Sequence, residues 1–150
     1  MKLVATNRKA RHDYEILDIF EAGLVLKGSE VKSLRTKNCS IEESFALVEN
    51  GEVVLYNMHI PEFEKASYFK AEPTRKRKLL LNKKEIKRIN GLTMQKGLTI
   101  IPLRAYFNDK GFAKMEIALA KGRKIYDKRK KLHEEITRKE IKFSLNRKNI

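Results

Sequence analysis

A single cysteine, Cys39, stands in the whole chain, so no disulfide can form within it. That suits a reducing compartment, and a cytoplasmic location is expected. Tryptophan is absent, and no apolar run approaches the length that a membrane crossing needs. The opening stretch MKLVATNRKARH has neither the uninterrupted apolar segment nor the cleavage site of a secretory signal. His12, His59 and His133 are scattered, without cysteine partners or zinc-site spacing, so no bound metal is expected. No GxGxxG, P-loop, HExxH or GxSxG occurs, and no spacing pairs the carboxylates Glu21, Glu30, Asp109 and Asp127. Metal-assisted hydrolysis would need such a pairing. Neither a cofactor nor an enzymatic activity is expected.

Positive charge is what the chain does have. Lys and Arg number 34 against 19 Asp and Glu, a formal net charge of +15. A polyanionic partner follows, and nucleic acid ranks above a membrane surface because apolar stretches are short. The surplus is uneven. Residues 1–120 hold 22 basic and 15 acidic side chains, whereas residues 121–150 hold 12 basic and 4 acidic. This break marks a boundary near Gly122, between a body, residues 1–122, and a basic tail, residues 123–150. With 41% hydrophobic residues the body can build a core.

The body reads as mainly β. YEILDIFEAGLVL, residues 14–26, is extended around Gly23, where a bulge or sharp bend is expected. FALVENGEVVLYNMHI, residues 45–60, is a hairpin closed by Asn50-Gly51, the pair suited to a type I′ turn. LTIIPLRAYF and FAKMEIALA flank Asn108-Asp109-Lys110-Gly111 as a second hairpin. In its return strand Ala113, Met115, Ile117 and Leu119 share one face, which sends Lys114 and Glu116 to the other. GSEVKSLRTKN predicts a short helix with Val31 and Leu34 on one side. NKKEIKRING predicts another, capped by Asn82 and Glu85 and stopped by Gly91. Residues 61–78 carry two prolines and no clean period, and read as a long loop. Five or six strands with short helices between them suggest a small antiparallel barrel, OB-like or SH3-like.

Three stretches can carry binding. TRKRKLLLNKKEIKR, residues 74–88, holds eight basic residues in fifteen. Such a run is either a solvated face beside a core strand or an edge that tracks phosphates with Arg75, Arg77 and Lys78, beside Asn82. NRKARHDYE places Arg8, Lys9, Arg11 and His12 before the first strand, as a frayed basic terminus or as a second RNA-contacting strip. The tail opens with KGRKIYDKRKK, seven cations around one Tyr. Further on, Ile125, Leu132, Ile136 and Phe143 form one thin apolar stripe at helical spacing. The stripe is flanked by repelling cations, so the tail should be disordered or helical, folding when a polyanion screens it. Such a chain is an RNA-binding module, or a general structured-RNA or single-strand-binding barrel associated with ribosomes.

KARHDYEILDIFEAGLVLKGSEVKSLR, PTRKRKLLLNKKEI, KGLTIIPLRAYFNDKGFAKMEIALAKG and YDKR follow one another in order. With them the chain resembles the small protein B family, the SsrA-binding proteins of bacteria, from about Asn7 to Arg129. The resemblance implies an OB-fold body that binds the tRNA-like domain of transfer-messenger RNA. It also implies a role in trans-translation, with a tail that enters the decoding centre and empty mRNA channel of the small ribosomal subunit. By matching motif, Glu21, Leu80 and Lys114 fall where the family has residues needed for RNA binding. Asp127, Lys128 and Arg129 match the tail motif. Tyr126 falls where the family has a ring that stacks in the decoding centre, and Arg123 and Lys124 keep the charge of its usual Gly-Lys-Lys. A core-packed Tyr126 is the competing reading, since Ile125 beside it is apolar. Nothing demands a dimer, and a monomer is expected.

Overall fold

In the computed structural model, residues 1–36, 38–63 and 71–122 are described. Among these described residues seven strands and three helices occur in this order: β1 (Lys2–Thr6), α1 (Ala10–Asp13), β2 (Tyr14–Leu24), α2 (Gly28–Thr36), β3 (Phe45–Glu49), β4 (Glu52–Tyr56), β5 (Arg77–Leu80), α3 (Lys83–Lys96), β6 (Thr99–Phe107) and β7 (Ala113–Gly122). All strand pairings are antiparallel. The sheet runs β1-β6-β3-β4-β5-β2-β7, and β7 returns to pair with β6, so the sheet curls into a near-closed barrel. The seam between β3 and β6 is narrow, a single register pair at Ala46 and Ile100. β1 occupies the rest of that β6 edge, opposite residues 104–107.

Both expected hairpins are present. Asn50 and Gly51 take φ of 51° and 75°, the left-handed pair that a type I′ turn demands. In the second turn Gly111 takes φ of 82°, and Asn108 Oδ1 accepts from the Lys110 and Phe112 amides. The return strand alternates as its pattern predicts. Met115, Ile117 and Leu119 are fully buried in the barrel, packed with Val53, Leu55 and Leu79. Leu34 of α2 and Ile89 of α3 join the same core.

Several expectations change. Residues Lys2–Thr6 form a strand, although their pattern is weak. They are a short edge strand, held by β6 rather than by their own alternation. The bulge in β2 lies between Ile16 and Asp18, not at Gly23. Helix α3 runs through Gly91, whose flexibility costs about 1 kcal/mol in a helix interior. Leu92, packed against the core, carries the helix onward, and Gly97 ends it at φ 61°. The stretch read as a loop through Lys78 ends earlier, because Arg77–Leu80 form strand β5, with residues 77–79 paired to β4 and residues 79–80 to β2.

A second, smaller apolar cluster lies on the outer face of β6 and β7. Ala10 of α1 packs there on Ile101, Leu103, Ala118 and Ala120. This explains why β6 and the end of β7 are buried on both sides. The N-terminal segment is pinned there by Asn7, whose backbone amide donates to Leu103 O at 2.8 Å and whose side-chain amide donates to Pro102 O at 3.0 Å.

Candidate nucleic-acid interface

Gly23 is the pivot of the site. It is the register partner of Leu80 on β5 and of Lys114 on β7. Lys114 is in turn opposite Tyr106 on β6. Cross-strand partners share a face, so Leu80, Gly23, Lys114 and Tyr106 form one row across four strands. A Cβ at Gly23 would sit 3.3 Å from the Leu80 Cβ, so glycine is what allows β5 to approach β2 so closely here. Leu80 remains 52% exposed beside it. The next row along holds Glu21, Glu116 and Arg104.

Hydrogen bonds join the two rows. The Tyr106 hydroxyl donates to Glu21 Oε2 at 2.5 Å, and Lys114 Nζ lies 3.8 Å from Glu21 Oε1. Burial of the ring, then the bond to Glu21, push the Tyr106 phenol up to about 12, so it stays a donor at any physiological pH. The Arg104 guanidinium stacks 5.3 Å from the Tyr106 ring centroid, and its Nε donates to Glu116 Oε2 at 3.0 Å. The Glu21 side chain is 57% exposed, so a carboxylate of set orientation faces solvent between a lysine and an exposed leucine. Such a patch can accept from base or ribose donors at Glu21, neutralise a phosphate at Lys114 and cover a sugar or base face with Leu80.

Of the residues that the motifs nominate, Glu21, Leu80 and Lys114 are therefore brought together. The basic strip divides. Lys78 is exposed and pairs with Glu52 at 2.9 Å, and Arg75 is partly exposed. Arg77 is corrected. Its side chain is fully buried, with Nε donating to Glu30 Oε2 at 2.7 Å, Nη1 to Met58 O at 2.6 Å and Nη2 to Pro73 O at 3.0 Å. Its donors are spent inside the protein, so it holds the fold rather than facing RNA. Alternation along β5 explains this: Lys76, Lys78 and Leu80 point out, while Arg77 and Leu79 point in. Asn82 caps α3, its Oδ1 accepting from the Glu85 amide at 2.8 Å, which leaves its amide nitrogen for any ligand.

Arg8, Lys9 and Arg11 are exposed on the α1 segment, over the same outer face of β6 and β7. They are not part of the Gly23 rows. Ala118, on which α1 packs, lies four residues from Lys114 along β7, about 13 Å at strand rise. Arg123, Lys124, Tyr126, Asp127, Lys128 and Arg129, with the apolar stripe beyond them, lie outside the described residues. Tyr106, Arg104 and Glu116 were missed from the sequence. Their signal was the register of the second hairpin, which sets Tyr106 opposite Lys114 once the turn is known. Among the described residues no group of His, Cys, Asp and Glu could hold a metal ion. Burial pushes the Cys39 thiol up to about 11, which makes it a poor nucleophile. No helix of the described residues is long and apolar enough to cross a membrane.

The model of the family described as "SmpB protein" matches residues 4–147. The chain belongs to the SmpB family. It is 55% identical over 141 residues to the SsrA-binding protein of Pelotomaculum thermopropionicum, covering 94% of this chain and 92% of that one. It is 53% identical over 146 residues to the SsrA-binding protein of Acidothermus cellulolyticus, covering 97% of this chain and 91% of the relative. A solved structure described as "tmRNA-SmpB: a journey to the center of the bacterial ribosome" superposes with a TM-score of 0.68 at 54% identity. That match covers 83% of this chain and 87% of the other.

Proposed function

We propose that this protein is an RNA-binding adaptor of trans-translation, which binds SsrA, the transfer-messenger RNA, and brings it to stalled ribosomes. As an SmpB-family member it acts by binding rather than by catalysis. The observation that carries this reading is the meeting of Glu21, Leu80 and Lys114 on one open sheet face, in a chain whose relatives are named SsrA-binding proteins. We read the barrel as OB-like, with the body, residues 1–122, gripping the tRNA-like domain. In this reading Lys114, Lys78 and Arg75 meet phosphates, Leu80 packs on the RNA surface, and Tyr106 holds Glu21 in the orientation that accepts from the RNA. Arg8, Lys9 and Arg11 extend the contact along β6 and β7, and Asn82 adds a donor beside β5.

The tail, residues 123–150, works in the decoding centre and mRNA channel of the small subunit. Arg123, Lys124, Lys128 and Arg129 neutralise phosphates there. Tyr126 stacks on an RNA base, a contact worth about 1–3 kcal/mol, and Asp127 completes the motif. The protein acts as a monomer in the cytoplasm. The test is competition at fixed physiological salt between the tRNA-like domain and an unstructured oligonucleotide of equal charge. Strong preference for the folded elbow supports the adaptor. Equal affinity for the two overturns it in favour of a general single-strand-binding barrel.

A further inference from the structure

On a chain of net charge +15, one cleft is acidic. It lies between α1 with the start of β2 and the segment leading into β3, with a volume of about 410 Å³. Asp13, Glu42 and Glu43 line it, against Lys9 and His12 as the basic groups. His12 Nδ1 is 3.1 Å from Asp13 Oδ1, whereas Glu42 and Glu43 are exposed and have no ion-pair partner among the described residues. Two further lining residues carry unmet hydrogen-bonding capacity. Asn7 is 8% exposed and Ser44 5%, and neither Asn7 Oδ1 nor Ser44 Oγ has a partner among the described residues. Buried polar atoms of native proteins are rarely left in this state, so the pair points to a ligand that donates. Tyr14 and Phe45 supply rings beside these acceptors. Negative charge, spare acceptors and aromatic walls together suit a guanidinium or ammonium group and repel phosphate.

The chain itself delivers such a group to this place. Tyr14, a wall of the cleft, is the register partner of Gly122, where the described body ends. Arg123 follows about 3.8 Å along the chain, and Lys124 comes next. We propose that this cleft is a docking site for the root of the chain's own basic tail, and that it takes the side chain of Arg123 or Lys124. The root is then held against the barrel by Glu42 and Glu43, at a point remote from the Gly23 rows. RNA phosphates arriving at the tail compete with these carboxylates for the same cations.

The experiment uses the full chain without RNA, so its outcome is independent of the adaptor reading. Amide resonances are recorded for wild type, for Arg123→Glu with Lys124→Glu, and for Glu42→Gln with Glu43→Gln. The expected result is reciprocal: the tail variant shifts the resonances of Asn7, Ser44 and Phe45, and the cleft variant shifts those of residues 123–125. Raising the salt to about 1 M shortens the screening length to about 3 Å and should reproduce both shifts in wild type. N-acetylarginine amide, added to the tail variant, should restore the wild-type cleft resonances. Unchanged cleft resonances in the tail variant overturn the proposal. So does restoration by the arginine probe with no response of the tail to the cleft variant, which would assign the site to a basic peptide of another molecule.

Discussion

Replacing Glu30 by Ala should unfold the body far more readily than it weakens any RNA contact. The Glu30 carboxylate is 3% exposed and accepts from Arg75 Nη2 at 2.5 Å, from the Lys27 amide at 2.9 Å and from Arg77 Nε at 2.7 Å. Removing it strands the Arg77 guanidinium, whose side chain has no exposure, without a counter-charge. Breaking one partner of a buried pair costs about 3–5 kcal/mol. For a domain of this size each kcal/mol is about 2–4 °C, so the melting temperature should fall by about 6–20 °C. The double variant Glu30→Met, Arg77→Met should recover most of that loss, because no buried charge is left alone. Acid should act in the same direction as the single substitution. Burial raises the Glu30 carboxyl, but the bonds from Arg75, the Lys27 amide and Arg77 outweigh it and hold the group below its ordinary 4.5. A group depressed in the folded state stabilises above its unfolded value, and that stability is lost as pH falls through the folded value. Thermal melts from pH 7 to pH 3 should therefore steepen below about 4.5 in wild type and flatten in Glu30→Gln. Calorimetry with RNA titrations below the melting range reads both halves of the reasoning. A loss under about 1 kcal/mol, or a shallower salt slope of RNA binding in the folded double variant, would refute it, since Arg77 would then be facing RNA.

The remaining expectations concern the open face, the helix start and the tail. Lys114→Ala should leave melting within about 0.5 kcal/mol of wild type while reducing the salt slope of RNA affinity by about 0.7–0.9; an unchanged slope would remove Lys114 from the phosphate contacts. Tyr106→Phe keeps the ring under Arg104 but frees Glu21 to rotate. Affinity for the tRNA-like domain should fall about 5–10-fold, with the slope kept, as read by anisotropy at two salt concentrations. Asn82→Ala should destabilise the body by about 1 kcal/mol through loss of the α3 cap, measured by urea unfolding; a larger loss would mean that its amide nitrogen is also structural. Tyr126→Ala should lower peptide tagging on stalled ribosomes and leave the melting of the body unchanged, and a drop of several degrees would place its ring in the core instead.

Local rules carried a good part of this fold. Asn50-Gly51 and the Asn82-Glu85 box were legible because turn and cap chemistry is decided within four residues. The alternation in AKMEIALAK placed Met115 and Lys114 on opposite faces for the same reason. Where the reading failed, a partner distant in sequence had decided. β1 is a strand because β6 supplies its hydrogen bonds. Gly91 does not stop α3 because Leu92 finds the core. Arg77 looks like its basic neighbours in sequence, but the inward face of β5 sets it against Glu30, a residue of α2.

The chain's own residues determined that it is basic and mainly β, with its charge surplus concentrated in residues 121–150, and their order placed it near one family of RNA-binding proteins. Charge, period and turn chemistry are additive along a chain and need no partner to be read. Which cations stay exposed and which are buried, and that Tyr106 bonds Glu21, were decided only when β5, β2, β7 and β6 came side by side. Register is a property of pairs of strands, and burial of a charge depends on what the fold brings against it.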